Sequence, residues 1–141
     1  MRNSVILFAL AAFALAGCQQ GPTQKEMAEK GNKPLNASQT RTVLAGNTLQ
    51  GTGDDPSVTW TTYFATDGTA RGKASWPSGS NSDSGKWKVS ENGQFCTSGW
   101  STWDTAGGCH TVYRDGNTLI MFQDGEFDQE ATIKQGNPMD L

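Results

Sequence analysis

From residue 57 onward, apolar and polar residues alternate with a period of two, which is typical of β-strands with one buried face. The clearest stretch covers residues 57–64, where Val58, Trp60, Thr62 and Phe64 fall on the same face. Shorter runs of β-branched, aromatic and alternating residues follow at positions 69–76, 85–90, 94–97, 110–114, 118–123 and 126–134. We therefore predict seven or eight short strands.

Tight-turn sequences separate most of these strands. Asp67-Gly68, residues 91–93, residues 115–117 and Asp124-Gly125 all carry the glycine, with Asp or Asn, that short hairpins favour. A Ser/Gly/Asn-rich loop is expected at residues 77–84. Sequential hairpins predict a mainly β fold, an antiparallel meander closed into a small barrel or folded as a sandwich, and we favour the barrel. The strands are short for a membrane-spanning barrel.

One short helix is expected before the strands. Asn36 or Ser38 can cap it, residues 40–44 carry it, and Gly46 suits a left-handed position after its end. The preceding segment is polar and rich in Gly and Pro, so we expect a flexible linker, in which a short helix at residues 26–30 would matter little. The tail from residue 135 is expected to fray.

The N-terminus resembles the leader of a bacterial lipoprotein. Arg2 precedes an apolar run at residues 5–16, which is long enough for a signal-peptide core but too short to cross a bilayer. The following Leu15-Ala16-Gly17-Cys18 resembles the lipobox. The resemblance implies cleavage before Cys18 and acylation of that cysteine with diacylglyceryl and palmitoyl-type chains. An ordinary secretory signal with an incidental cysteine is the alternative.

These features predict four segments and a cellular location. The segments are a signal peptide at 1–17, the lipidated cysteine and linker at 18–36, a β-domain at 37–134 and a disordered tail at 135–141. Two or more acyl chains would hold the protein durably on a membrane. By lipoprotein sorting analogy, Gln19 in place of Asp favours a periplasm-facing outer-membrane location in a Gram-negative cell.

The other two cysteines are Cys96 and Cys109. If Cys18 is lipidated, they remain as a pair in an oxidising compartment, where a disulfide would persist. Closing a loop of this length would contribute about 3 kcal/mol of stability. A rival hypothesis makes both cysteines metal ligands together with His110, but zinc sites usually require more ligands. We expect His110 to be an ordinary strand residue.

A second resemblance covers residues 40–123. It is carried by residues 44–48, Tyr63-Phe64, Gly85-Lys86-Trp87, residues 92–96 and Cys109. This pattern resembles small secreted bacterial domains of unknown function with a lipocalin-like sheet. The resemblance implies a lipocalin-like barrel and paired cysteines, and it implies no activity.

Four carboxylates recur at every second position of the last strand: Asp124, Glu126, Asp128 and Glu130. They would share one strand face, with Phe127, Ala131 and Ile133 facing the core. Clustered carboxylates could bind calcium. We favour the alternative, a solvated face whose charges discourage edge-to-edge pairing.

Trp100 and Trp103 lie in a Gly/Ser/Thr-rich loop between the cysteines. Exposed aromatic side chains on a constrained loop would suit contact with a partner protein, a glycan or a small apolar ligand. Alternatively, both indoles fold inward and plug one end of the barrel. The sequence leaves this choice open.

Charge and composition disfavour two function classes. The net charge is −3 and no basic patch is evident, so nucleic acid is not expected as a partner. The chain has one histidine and lacks a Gly-x-Ser-x-Gly elbow, so we expect neither an enzyme nor a cofactor.

The sequence thus predicts a lipid-anchored cell-envelope module that binds an unknown protein or small apolar ligand. Two alternatives stay open. One is a structural or assembly accessory that acts by protein contacts. The other is an inhibitor of a periplasmic or foreign hydrolase that inserts the loop between Cys96 and Cys109.

Overall fold

A computed structural model describes residues 21–103 and 106–141. The predicted signal peptide, the lipobox and Cys18 lie outside the described residues. Within the described ranges there are two helices, α1 (Gln24–Glu29) and α2 (Ala37–Leu44). The strands are β1 (Asn47–Thr52), β2 (Thr59–Phe64), β3 (Thr69–Trp76), β4 (Gly79–Val89), β5 (Phe95–Ser98), β6 (Gly108–Asp115), β7 (Thr118–Gln123) and β8 (Glu126–Lys134). In the described part of the chain, neither helix has the length and apolar character needed to cross a membrane.

The eight strands form a closed barrel in sequence order, with every neighbouring pair antiparallel. Closure comes from pairing of β1 with β8, for example Leu49 opposite Ile133. The predicted mainly β fold is confirmed, and the barrel is correct rather than the sandwich. The bounds of β3, β7 and β8 agree with the alternation in the sequence.

The predicted loop at residues 77–84 is wrong. Strand β4 begins at Gly79, directly after the turn, and pairs with β3 from Trp76 opposite Gly79 onward. Ser, Gly and Asn have low intrinsic strand propensity, but that propensity depends strongly on context. Here the backbone hydrogen bonds to β3 hold the segment in the sheet.

The two ends of the barrel differ. Because the strands alternate in direction, the turns at residues 65–68, 90–94 and 116–117 lie at one end, which we call the closed end. The connections at residues 53–58, 77–78 and 124–125, and the described residues 99–103 and 106–107 of the connection between β5 and β6, lie at the other, which we call the open end.

Helix α2 covers the closed end. Asn36 caps it in a reciprocal capping box with Gln39, and the Thr40 hydroxyl donates to the Gly93 carbonyl, with 2.8 Å between oxygens. Leu44 is fully buried. Gly46 has a φ of 76°, which confirms the predicted left-handed position. The other members of the core cluster that contains Leu44 are Val43, Leu49, Phe64, Phe95, Val112, Leu119, Met121, Ala131 and Ile133.

Residues 21–35, which we expected to form part of a flexible linker, pack on the barrel instead. Helix α1 has its own capping box, made by Thr23 and Glu26. Met27 is only 2% exposed. It joins a second apolar cluster with Tyr113, Ile120, Phe122 and Phe127. These side chains lie on the outer face, because their strand neighbours Val112 and Met121 point into the core.

The C-terminal tail, expected to fray, also contacts the barrel. Gly136 accepts a hydrogen bond from the Thr48 hydroxyl and donates one to the Asn47 side chain. The Arg71 guanidinium donates to the carbonyl oxygen of Leu141 over 3.1 Å. Hydrogen bonds of this kind order a polar segment without burying apolar surface.

Candidate functional site

A cavity of about 510 Å³ opens at the open end of the barrel. Apolar and aromatic side chains dominate its wall, and a few polar groups are interspersed. The lining residues are Leu49, Gly53, Val58, Trp60, Thr62, Ala74, Phe95, Thr97, Trp100, Thr102, Trp103, Ala106, His110, Met121 and Gln129. The barrel interior is therefore filled next to α2 and hollow at the other end.

Strand β2 supplies one wall of this cavity. Val58, just before the strand, and Trp60 and Thr62 within it all line the space, while Phe64 enters the core. The face predicted from alternation is thus confirmed. Its aromatic and β-branched side chains give the cavity an apolar surface.

Trp100 and Trp103 form a second wall. Their rings lie 5.3 Å apart between centroids, tilted by 36°. Both side chains are half-buried. Each lies against a glycine: Trp103 contacts Gly72, and a Cβ atom added at Gly85 would come within 2.9 Å of the Trp100 ring. A side chain larger than hydrogen at Gly72 or Gly85 would clash with the indole that packs there.

Trp100 and Trp103 therefore match neither of the two arrangements expected from the sequence in full. The indoles are not free contact residues in an open loop, because the barrel strands support them. They also do not plug the barrel, because the cavity remains beside them. They border a space large enough for a ligand.

Asp83 fastens the loop that carries these indoles. Its carboxylate accepts hydrogen bonds from the backbone N–H groups of Ser101, Thr102 and Trp103, at 3.2, 2.7 and 3.0 Å. Desolvation acts to raise the pKa of Asp83, but the backbone donors outweigh it and lower the pKa well below its ordinary value. The carboxylate stays ionised and keeps accepting these bonds at neutral pH.

Sequence reasoning missed Asp83. It lies in the segment that we predicted as a polar loop, and its partners are about 18 residues further along the chain. No local pattern connects the two segments. The pairing of β4 with β5 brings Asp83 and the loop after β5 together.

His110 and Asp128 form a polar pair at the cavity wall. The His110 Nε2 atom lies 3.0 Å from an Asp128 carboxylate oxygen, and the imidazole stacks on Phe95 with 5.0 Å between ring centroids. Burial lowers the pKa of His110, and the nearby Asp128 carboxylate only partly opposes this effect. His110 is a strand residue, as expected, but its contact with Asp128 was not anticipated.

A β-bulge explains that contact and corrects the interpretation of the acidic strand. Met121 pairs with Gln129 and Phe122 with Phe127, so Asp128 is an extra residue without a partner in β7. The bulge shifts the alternation, which places Phe127 on the outer face and not in the core as predicted. Ala131 and Ile133 do face the core.

The four carboxylates consequently do not share one strand face. Asp124 lies in the turn with a φ of 51°, and Asp128 faces His110, while Glu126 and Glu130 are exposed. Across residues 21–103 and 106–141, no three His, Cys, Asp or Glu side chains are placed to hold a metal ion. The calcium hypothesis has no support in this geometry.

Cys96 and Cys109 form a disulfide, as predicted. They are directly opposite each other on β5 and β6, and they point away from the cavity, because the adjacent Phe95 and His110 point inward. The disulfide closes the base of the loop that carries Trp100 and Trp103. His110 and the two cysteines face opposite sides of the sheet, so they do not form a shared metal site.

Comparisons with known proteins give little beyond this geometry. The chain matches no protein-family model. No curated protein is significantly similar to it. Among solved structures, it is similar to the lipoprotein YedD from Klebsiella pneumoniae subsp. pneumoniae MGH 78578, at 17% identity and a TM-score of 0.41, over 77% of this chain and 82% of that chain.

Proposed function

We propose that this protein is a lipid-anchored component of the bacterial cell envelope whose barrel binds a small apolar ligand without transforming it. The anchor is Cys18, and the location that the residue after it favours is the periplasmic face of the outer membrane. The barrel is the binding module.

The cavity at the open end is the observation that carries this proposal. Its volume of about 510 Å³ falls within the range of small-molecule pockets, which are mostly apolar with a few placed polar groups. A filled barrel with a broad apolar surface would instead favour action by protein contacts. Among the described residues, only Trp76 and Met139 are large apolar side chains with high exposure.

A binding role without catalysis is consistent with the polar pair in the wall. A histidine base needs a nucleophile or a water within hydrogen-bond reach and a carboxylate to orient it. Asp128 could orient His110, but within residues 21–103 and 106–141 the imidazole makes no hydrogen bond to a hydroxyl or a thiol. We infer that the pair orients a ligand or stabilises the bulge.

Mass spectrometry of the intact protein purified from membranes tests the anchor. We expect the mass of a chain that begins at Cys18, carries acyl groups and has lost two hydrogens to the Cys96–Cys109 disulfide. A chain with its leader uncut and no acyl groups would contradict the proposed location.

Native mass spectrometry of the same protein, with the neutral apolar probe N-phenylnaphthylamine, tests the cavity. We expect one bound probe per protein. The variant Ala74→Phe places a ring in the cavity, because Ala74 lines it, and should weaken binding by about tenfold or more.

The matched control is Lys73→Phe, which adds the same ring on the adjacent residue of β3, on the outer face. It should bind the probe as the wild type does. Equal binding by wild type and Ala74→Phe would contradict a ligand site in this cavity.

A further inference from the structure

We propose that the barrel takes its ligand from the membrane that anchors it, and that this ligand is an acyl-chain amphiphile with a neutral or zwitterionic headgroup. The docked N-terminal segment holds the open end of the barrel close to the bilayer, so the acyl chain enters the cavity directly. This inference rests on the proposed anchor at Cys18 and on the proposed ligand cavity.

The chain reaches the barrel at its open end. Gly21 lies against the Phe127 ring, and the Gln24 side-chain amide donates to the carbonyl oxygen of Gly125 over 3.4 Å. Gly125 belongs to the turn between β7 and β8, which lies at the open end. The segment that leads to Cys18 therefore leaves the barrel on the same side as the cavity.

Helix α1 fixes this exit point. Met27 is almost completely buried against Phe122 and Phe127. The Tyr113 hydroxyl lies 3.3 Å from the Gln24 side-chain oxygen. Together with the capping box, these contacts attach the segment to the outer wall of the barrel.

The reach from the exit point to the anchor is short. Cys18 precedes Gly21 by three residues, and an extended chain spans at most about 3.6 Å per residue, or about 11 Å in all. A loose linker from residue 18 to residue 36 would let the barrel turn freely. With α1 docked, an acylated Cys18 keeps the open end within about one helix diameter of the lipid surface.

The cavity and its rim define the ligand class. The connections at the open end supply cavity residues Gly53, Val58 and Ala106, and aromatic rings line the space behind them, which suits an acyl chain. The rim is acidic: Asp54, Asp55 and Asp124 are exposed around it. Their negative potential disfavours anionic headgroups and tolerates neutral or zwitterionic ones.

Fluorescence quenching tests the orientation. The lipidated protein is placed in phosphatidylcholine vesicles that contain a lipid with a nitroxide on its headgroup. A fluorophore is attached at Asp55→Cys, at the open end, or at Glu91→Cys, at the closed end, both exposed positions. We expect several-fold stronger quenching at position 55, and equal quenching or stronger quenching at position 91 would overturn the proposal.

Transfer of a fluorescent lysophosphatidylcholine from vesicles to the protein tests the entry route. A Gly-Ser spacer of about 20 residues, inserted between Gln20 and Gly21, keeps α1 docked but removes the short reach, and should slow transfer about tenfold. Replacing phosphatidylcholine and its lyso probe with the phosphatidylglycerol counterparts should also reduce transfer. Unchanged transfer with the spacer would contradict direct entry, and unchanged transfer with the anionic lipid would contradict the headgroup preference.

These outcomes are distinguishable from failure of the proposed function. If N-phenylnaphthylamine does not bind or Cys18 is not acylated, the proposed function fails. If the probe binds and Cys18 is acylated but the open end faces away from the vesicle, the proposed function stands. Only the proposal that the ligand enters from the membrane is then rejected.

Discussion

The two ends of this barrel are made by the same eight strands, yet one is filled and the other is hollow. At the closed end, α2 inserts Val43 and Leu44 among core side chains and covers the strand ends. At the open end, the connections leave a cavity of about 510 Å³, and two indoles line its wall instead of filling it. The strand pattern therefore specifies the barrel, and what covers each end decides where a ligand can bind.

The ends also differ in how they are held. A local capping box and a fully buried leucine secure α2. The loop at the open end depends on the disulfide and on one distant carboxylate, Asp83. We expect the closed end to dominate stability and the open end to dominate binding.

The largest effect on stability is expected from Leu44→Ala. This side chain is fully buried, so its truncation should leave a cavity and lower the free energy of unfolding by about 3 kcal/mol. Urea denaturation measures the loss. The folded fraction should still bind N-phenylnaphthylamine normally, and loss of binding without loss of stability would reverse the assignment of the two ends.

The converse variant is Trp103→Ala. Its indole is half-buried beside the cavity, so we expect a smaller destabilisation of about 1.5 kcal/mol together with about tenfold weaker probe binding. Trp76→Ala is the matched control, since Trp76 is exposed and does not line the cavity. If Trp103→Ala destabilises as much as Leu44→Ala and binds the probe normally, the indole belongs to the core alone.

Removal of Asp83 should loosen only the open end. Asp83→Ala deletes the acceptor for three backbone N–H groups. Hydrogen exchange at residues 101–103 should accelerate about tenfold, which corresponds to the loss of about 1.4 kcal/mol of local stability. The control Asp55→Ala removes a carboxylate that accepts a hydrogen bond from the backbone N–H of nearby Ser57. Equal exchange in wild type and Asp83→Ala would show that the disulfide alone fixes the loop.

The smallest effect is a dependence of stability on pH through His110. Burial lowers the pKa of His110 in the folded state, so the unfolded chain binds the proton more readily as the pH falls below the ordinary value of 6.5. The free energy of unfolding should therefore decrease as the pH is lowered from about 7.5 to about 5.5. Urea denaturation at several pH values measures this slope.

His110→Gln is the control for this slope, because His110 is the only histidine in the chain. The variant should lose most of the pH dependence in that window. A wild-type protein that becomes more stable as the pH falls would mean that the Asp128 carboxylate outweighs burial.

The strand pattern could be predicted from sequence where side chains alternate strongly. Val58, Trp60 and Phe64 indicate a strand and its inward face without any knowledge of the barrel. The first half of β4 could not be predicted, because its Ser, Gly and Asn residues carry no apolar signal. Its strand conformation depends on pairing with β3.

The cavity and the contact between His110 and Asp128 could not be predicted from the sequence, for a different reason. The bulge at Asp128 breaks the period of two, and nothing in the acidic alternation marks where it occurs. The hollow depends on Gly72 and Gly85 lying under two indoles. Docking of α1 was missed because Met27 is the only large apolar side chain in this short and otherwise mostly polar helix.

A crystal structure of the protein with N-phenylnaphthylamine bound would test the central claim most directly. The account predicts density for the probe at the open end, between Trp60 and Trp103 and near His110, with the closed end around Leu44 unchanged. Probe density elsewhere on the protein, with the indoles collapsed into the cavity, would contradict it.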